Sequence, residues 1–304
     1  MAWRGVHISR DSHLRFADNQ LVVGQTDDEV RLAIEDIAWI VIDAPHVMLS
    51  SALIRACMNG GVAIIFTDEF HTPNGIALPF HRHFRQGEIA RLQSELAQPV
   101  KKRLWQAIVM AKIANQAAAL DNCGREGSST LTAAAGRVRS GDPVNVEARA
   151  ARYYFGRMFR RHGADGGKIG YARDDGNDLR NKMLNYGYAI VRSGVARALT
   201  AYGFVPSLGL MHASQTNAFN LADDLVEPFR PFVDVVVHKM TAGRADLTAD
   251  PSLEERRALA GLLQGDCRIG AARTTLLVAT EQTAESLVRA MEGKSPALLL
   301  LPSL

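Results

Sequence analysis

Apolar and polar positions alternate along the first eighty residues and change to three-and-four spacing after Pro79. Val6-His7-Ile8, Leu14-Arg15-Phe16 and Val30-Arg31-Leu32-Ala33-Ile34 repeat with a period near two. That period sends successive side chains to opposite faces and predicts short strands. Asp18-Asn19 and Asp27-Asp28 supply the breaks. Ile37-Ala38-Trp39-Ile40-Val41-Ile42 is an unbroken apolar run, as expected of a buried strand. Ser50 or Ser51 caps a short helix through Met58, and Gly60-Gly61 ends it. Val62-Ala63-Ile64-Ile65-Phe66 returns to strand.

Downstream, helical spacing predicts elements over residues 89–96, 104–118, 131–138, 144–161, 178–202, 220–230, 252–264 and 281–292. Ser252-Leu253-Glu254-Glu255 has the form of a capping box. Pro143 suits the first turn of the helix that carries Glu147. The expected fold class is α+β: a small β-rich domain over residues 1–78, then a larger all-α domain over residues 79–304. Turn residues between positions 72 and 84 mark the boundary. Residues 124–129 and 173–178 read as exposed loops. The run Ala297-Leu298-Leu299-Leu300-Leu301 is too short to span a bilayer and reads as a docking strand or a helix end.

Composition narrows the class. The chain is 47% hydrophobic and 22% charged, which suits a globular protein and is too apolar for disorder. Cys57, Cys123 and Cys267 are far apart and form no CxxC, so they read as small hydrophobes of a reducing compartment. With no signal-peptide run and no long apolar stretch, a cytoplasmic location is expected. The net charge of +3 says little, but its distribution says more. Arg149, Arg152, Arg157, Arg160, Arg161 and Lys168 lie close together around Tyr153, Tyr154 and Phe155. Such a cluster suits a phosphate backbone and an unstacked base, and equally a solvated helix face.

Carboxylates on apolar stripes are the candidates for chemistry. Glu147, Ala151, Tyr154 and Met158 share one helix face. A carboxylate there needs a cationic partner or a metal if buried, or it simply complements the helix dipole. Asp224 and Glu227 are three apart and repel by about 0.2–0.5 kcal/mol. A cation would relieve that repulsion, and so would Arg230. His212 precedes them on a polar loop. Two decoys stand beside these. His71, His81 and His83 cluster around Phe80 and Phe84 and tempt a zinc reading, but with no matching Cys or acidic partner DNA contact or domain packing is the better reading. Asp174-Asp175-Gly176-Asn177-Asp178 looks like part of a calcium loop without its terminal glutamate, and reads as a loop ending in a helix cap at Asp178.

Four segments in this order carry a family resemblance. They are Gly141-Asp142-Pro143-Val144-Asn145-Val146-Glu147, Leu184-Asn185-Tyr186-Gly187-Tyr188-Ala189-Ile190-Val191-Arg192, Gly203-Phe204-Val205-Pro206-Ser207-Leu208-Gly209-Leu210-Met211-His212 and Asn220-Leu221-Ala222-Asp223-Asp224-Leu225-Val226-Glu227-Pro228-Phe229-Arg230-Pro231. Together they resemble the CRISPR-associated integrase, the first-numbered Cas protein. The likeness runs over essentially the whole chain and is nearest in style to the compact subtype of the type II group.

The resemblance implies Glu147, His212 and Glu227 as catalytic metal ligands for Mg²⁺ or Mn²⁺, with Asp224 in support. Many members carry one acid where this chain has Asp223-Asp224, which leaves open which of the two faces the metal. His212 is also a candidate proton shuttle, since its ordinary pKa is about 6.5. The implied reaction is transesterification, in which the 3′-hydroxyl of a short DNA fragment attacks a phosphodiester at the edge of a repeat. The implied assembly is a homodimer formed by the β-rich domain, with two dimers bridged by a dimer of the small companion Cas subunit. Arg149, Arg152, Arg160 and Arg161 are then candidates for DNA contact. Two other readings share the same residues: a stand-alone metal-dependent endonuclease, and a basic DNA-binding scaffold with no activity.

Overall fold

The computed structural model describes the chain apart from Met1, residues 26–27, 81–82, 163–167 and 174–177, Gly170, Ala172 and Ala245, and apart from the side chains of Arg161, His162, Lys168 and Ile169. The first part contains β1 (Arg4–Ile8), β2 (Ser12–Ala17), β3 (Gln20–Gly24), β4 (Glu29–Ala33), β5 (Ile37–Ile42), β6 (Val47–Leu49), α1 (Ser51–Gly60), β7 (Ala63–Thr67) and β8 (Pro73–Ala77). One four-stranded sheet has the order β1-β5-β7-β8 and the other β4-β3-β2-β6. In the first sheet β1, β5 and β7 are parallel and β8 runs antiparallel at the edge.

The apolar run of β5 follows from its position. Every residue of the strand is buried, because both faces are covered. Ile40 and Ile42 join Leu14, Leu21 and Leu53 in a core shared by the two sheets and α1. Trp39 and Val41 face the other way, into the core of the helices. Strands covered on both faces lose the alternation that marks a half-exposed strand. Trp39 Nε1 donates to the carbonyl of Ala260 at 3.0 Å, which ties this sheet to the helical part. A Cβ on Gly5 would stand 2.2 Å from the Trp39 ring, so β1 leaves room for the indole only with glycine.

The second part contains α2 (Gln86–Ser94), α3 (Gln98–Asn122), α4 (Ser128–Ala135), α5 (Val146–Met158), the short strands β9 (Arg161–His162) and β10 (Lys168–Ile169), α6 (Leu179–Ala201), α7 (Asn220–Val226), α8 (Arg230–Thr241), α9 (Leu253–Ala260), β11 (Asp266–Ile269), β12 (Ala272–Thr275), α10 (Leu276–Glu292) and β13 (Pro302–Ser303). A β-rich first part and a helical second part are thus as expected, and no helix among the described residues is long and apolar enough to cross a membrane. Ser50 caps α1, with Gly61 left-handed at its end, and the Ser252 capping box opens α9.

Several elements depart from the sequence expectation. The second part is not wholly α, since β12-β11-β13 form a small sheet. Its strands are too short to show a period, and the apolar run 297–301 leads from a 3₁₀ turn (Pro296–Leu298) up to β13. β3 presents Leu21, Val22 and Val23 all buried, so it shows no alternation. α8 begins at Arg230-Pro231, where proline reads as a breaker. In the first turn its missing N–H has no intrahelical partner to lose. Pro143 is not inside α5; it precedes the N-cap, Asn145.

The histidine cluster disperses. His83 stacks on Phe84 at 4.9 Å, while His71 turns to Asp43. His81, Asp27 and the loop 174–177 lie outside the described residues, and Asp178 caps α6. The three cysteines are free thiols, Cys57 and Cys267 buried and Cys123 half-buried.

Asp43, just after β5, is the polar tie between the two parts. It accepts from His7 at 2.8 Å, from His71 at 2.7 Å and from Arg256 of α9 at 2.9 Å. Burial pushes its pKa up, but His7, Arg256 and His71 more than offset this and hold it near about 2. A carboxyl depressed in the folded chain stabilises it above the unfolded value, roughly 3.9, and loses that effect as pH falls through the folded value. Asp43→Asn should therefore cost about 3 kcal/mol at neutral pH, because it removes the charge that the Arg256 guanidinium faces. Urea unfolding at pH 7 and then at falling pH checks this. The gap to wild type should close between about pH 4 and 2, and a loss within 0.5 kcal/mol at pH 7, roughly that of an ordinary surface change, would remove Asp43 from this role.

Candidate active site

Four segments converge at one place: the middle of α3, the first turn of α5, the loop after α6, and the 3₁₀ turn Glu227–Phe229 between α7 and α8. The start of α5 is fixed by two side chains. Asn145, at a left-handed φ of 52°, accepts from the N–H of Ala148. Asp142 accepts from the N–H groups of Val146 at 2.8 Å and Glu147 at 2.9 Å. These are the donors a helix start leaves unpaired, so the turn carrying Glu147 is rigid.

Glu147 and Glu227 meet at Lys112 of α3. The ammonium stands 2.6 Å from Glu147 Oε1 and 2.5 Å from Glu227 Oε2. Arg230 approaches Glu227 Oε1 at 3.2 Å, so the arginine weighed as its partner does contact it, together with the lysine. Glu227 is 5% exposed. Burial pushes its pKa up, yet Lys112 and then Arg230 hold the carboxyl below the ordinary range. Burial pulls Lys112 down, and Glu227 and Glu147 reverse that, leaving its pKa raised. The Lys112–Glu227 contact is a close, charge-assisted one at a buried oxygen.

His212 is held differently. Its Nδ1 lies 2.8 Å from Asp224 Oδ1, and Trp105 of α3 meets the ring edge-on at 5.9 Å between centroids. Asp224 is fully buried and also accepts from the N–H groups of Leu210, Met211 and His212, at 2.5, 3.2 and 3.1 Å. One carboxylate thus folds the loop and orients the imidazole, whose pKa it raises against the effect of burial. Gly209 makes this possible, since a Cβ there would fall 2.2 Å from the His212 carbonyl oxygen and 2.9 Å from Asp224. Asp223 turns elsewhere, to Arg192 Nε of α6 and to the Asn217 amide, both at 2.5 Å. Of the adjacent acids, Asp224 serves the histidine and Asp223 the α6 arginine.

The helices are locked together behind the site. Tyr154 of α5 donates to Asp234 of α8 at 2.9 Å, and Tyr188 of α6 donates to the other oxygen. Arg230 lies over the Tyr188 ring at 4.9 Å. The stripe Glu147–Tyr154–Met158 thus packs inward with Tyr154 and Met158 buried, leaving Glu147 at its rim.

Two carboxylates and an imidazole whose Nδ1 is engaged, leaving Nε2 free to ligate when neutral, are the donor chemistry of a divalent-cation site. Glu227 Oε2, now held by the Lys112 ammonium, fits the same role. Among the described residues, no three His, Cys, Asp or Glu side chains stand at chelating spacing as they are. The two glutamates share an ammonium instead. Of the arginine candidates, Arg149 and Arg152 are exposed, Arg160 is half-buried, and the Arg161 side chain is outside the described set. Arg160 lines a cleft of about 380 Å³ with Arg125, Arg180, His238 and Arg244.

A family model described as CRISPR associated protein Cas1 matches residues 6–250, most of the chain. The chain belongs to the Cas1 family. Over its full length it is 36% identical to the CRISPR-associated endonuclease Cas1 of Neisseria meningitidis serogroup C (strain 8013), covering 97% of that protein. Among solved structures, a casposase bound to integration product matches with a TM-score of 0.76 at 16% identity, over 96% of this chain and 91% of that one. A Cas6-RT-Cas1–Cas2 complex matches with a TM-score of 0.72 at 17% identity, over 97% of this chain and 36% of that one. At such identities these two likenesses speak for the fold alone.

Sequence reasoning passed over Lys112, Arg192 and Asn217 in this Cas1-family site. Lys112 carried a readable signal, because it continues the apolar i, i+4 stripe Leu104–Ile108 of α3, which is the same argument that singled out Glu147. Asn217 and Arg192 are short-range and long-range partners of Asp223 with no periodic signature.

Asp234 supplies a pH test of the helix lock. Burial raises its pKa to about 6 despite the two phenols and nearby arginines. Its contribution to stability is full below roughly pH 3.9 and lost as pH rises through the folded value, an effect of about 3 kcal/mol. Wild type should therefore lose thermal stability relative to Asp234→Asn between pH 4 and 7, read from paired melting curves. Parallel curves across that range would contradict this assignment.

Proposed function

We propose that this Cas1-family chain is a divalent-metal-dependent DNA integrase that joins the 3′-hydroxyl ends of short DNA fragments into a repeat array by transesterification. The observation that carries the reading is the meeting of Glu147 and Glu227 at one cationic position, beside an imidazole oriented by Asp224. Mg²⁺ or Mn²⁺ held by Glu147, Glu227 and His212 Nε2 would act as Lewis acid toward the phosphodiester and acidify the attacking hydroxyl.

The chain's own residues do the positioning. Asp224 engages Nδ1 of the His212 ring, which leaves Nε2 as the nitrogen for the metal. Arg230 remains on Glu227 and restrains its rotation. Asp142 and Asn145 hold the turn of Glu147.

Support for joining over cutting alone comes from the fold shared with a casposase bound to integration product, and support for a companion subunit from the likeness to a Cas1–Cas2 complex. In this reading the β-rich part forms a homodimer, and two dimers are bridged by a companion dimer. Arg149, Arg152 and Arg160 supply phosphate contacts, with Arg161 beside them. Each counterion released on binding gains less free energy as salt rises, so DNA affinity should fall steeply with ionic strength.

The test mixes the chain, its companion subunit, a labelled duplex with free 3′ ends and a repeat-bearing plasmid. Joined strands are expected with Mn²⁺ or Mg²⁺ and not with chelator. Glu147→Gln and Glu227→Gln should each lower joining by about 100-fold or more, as loss of a transition-state charge contact does. Cut strands without joined ones would favour the hydrolytic endonuclease. Wild-type joining by both variants would sink the site.

A further inference from the structure

Lys112 occupies an unusual position for a lysine. It is 9% exposed in the middle of α3, on the stripe of buried Leu104 and Ile108, with its ammonium between two carboxylates from separate elements. An ammonium is rarely buried unless it is paired. Here the pairing takes one oxygen from each glutamate. Arg230 takes the remaining oxygen of Glu227. The ammonium stands 2.5 Å from Glu227 Oε2 and 2.6 Å from Glu147 Oε1, so its charge is shared by both carboxylates.

Without this charge, two carboxylates would face each other at a largely buried point. Repulsion would open the turn Glu227–Phe229 away from α5, or force one acid to take up a proton. The ammonium therefore keeps the acids assembled. It also takes the oxygens a divalent cation requires. A cation of charge two and an ammonium a few ångströms apart repel strongly at any effective dielectric a protein offers. Both do not fit on Glu147 and Glu227 together.

We propose that Lys112 is the resident counter-ion of the site: it holds Glu147 and Glu227 together in the metal-free protein and competes with a divalent cation for the same two oxygens. Metal entry then releases the ammonium from the carboxylates. This rests on the metal-binding reading above and adds that the chain lowers its own metal affinity in return for a site that stays assembled when empty. Lys112 is a positioning residue in this account, acting through Glu147 and Glu227.

The test is calorimetric titration of Mn²⁺ into the full chain, with a melting curve at each metal level. Wild type should bind, and Glu147→Gln should not. Lys112→Met should bind Mn²⁺ about tenfold more tightly or better, since the competing charge is gone. Its metal-free melting temperature should fall, and Mn²⁺ should raise it by more than in wild type. A merely structural lysine would lower the melting temperature without tightening metal. Lys112→Arg, which keeps the charge, should stay within about twofold of wild type. Equal or weaker binding by Lys112→Met, with Glu147→Gln still inactive in binding, overturns the counter-ion while the metal site stands. No Mn²⁺ binding by wild type overturns both. Should Lys112→Met fail to fold, wild type itself reports: acetic anhydride labelling, quantified by peptide mass spectrometry, should reach Lys112 several-fold faster with saturating Mg²⁺ than with chelator. Unchanged labelling under bound Mg²⁺ overturns the proposal.

Discussion

Two carboxylates brought to one buried point repel each other, and much of this fold answers that constraint. The ammonium of Lys112 stands between Glu147 and Glu227 and makes their meeting stable. α3 supplies it from a helix long enough to reach other partners as well. Trp105, two turns earlier on the same face, meets His212. Asn115, almost a turn later, donates to the carbonyls of Pro228 and Pro302 and accepts from the N–H of Leu304. The last strand is thereby fastened beside the turn that carries Glu227. One helix thus sets three parts of the site at once.

Around that point, each polar group of the site is held by a group that is held in turn. Asp224 binds three backbone N–H groups and a ring nitrogen, so the His212 loop has little freedom. Asp234 gathers phenols from α5 and α6 onto α8. Asp43 gathers two histidines and an arginine where the sheets meet α9. Asp234 thus fixes α5, α6 and α8 relative to one another, while Lys112 ties α3 to α5 and to the Glu227 turn.

Much of this was legible in the sequence where a period or a cap carries the information. The change from alternation to helical spacing near Pro79 separated the two parts, and the serine cap of α1 and the capping box of α9 sit where their residues indicated. Glu147 stood out because a carboxylate on an apolar stripe needs a partner. Lys112 carried the same stripe signal, but its pairing with Glu147 was not legible, since the two lie 35 positions apart and only the packing of α3 against α5 brings them together. The choice between Asp223 and Asp224 was equally hidden. Neighbouring residues on a helix point about 100° apart, and which direction faces the loop depends on how α7 packs. α8 and the small sheet were missed because proline at a helix start mimics a break and four-residue strands show no period. The family resemblance brought in His212 and Glu227, for which spacing alone offered little.

In the reading proposed above, Glu147, Glu227 and His212 hold one divalent cation, and Lys112 bridges the two glutamates in its place. Crystals of the chain soaked in Mn²⁺ and measured at the manganese absorption edge test it most directly. The account predicts an anomalous peak among the two glutamates and His212 Nε2, with the Lys112 ammonium withdrawn from both carboxylates. Full Mn²⁺ occupancy elsewhere, with Lys112 still bridging Glu147 and Glu227, would contradict it.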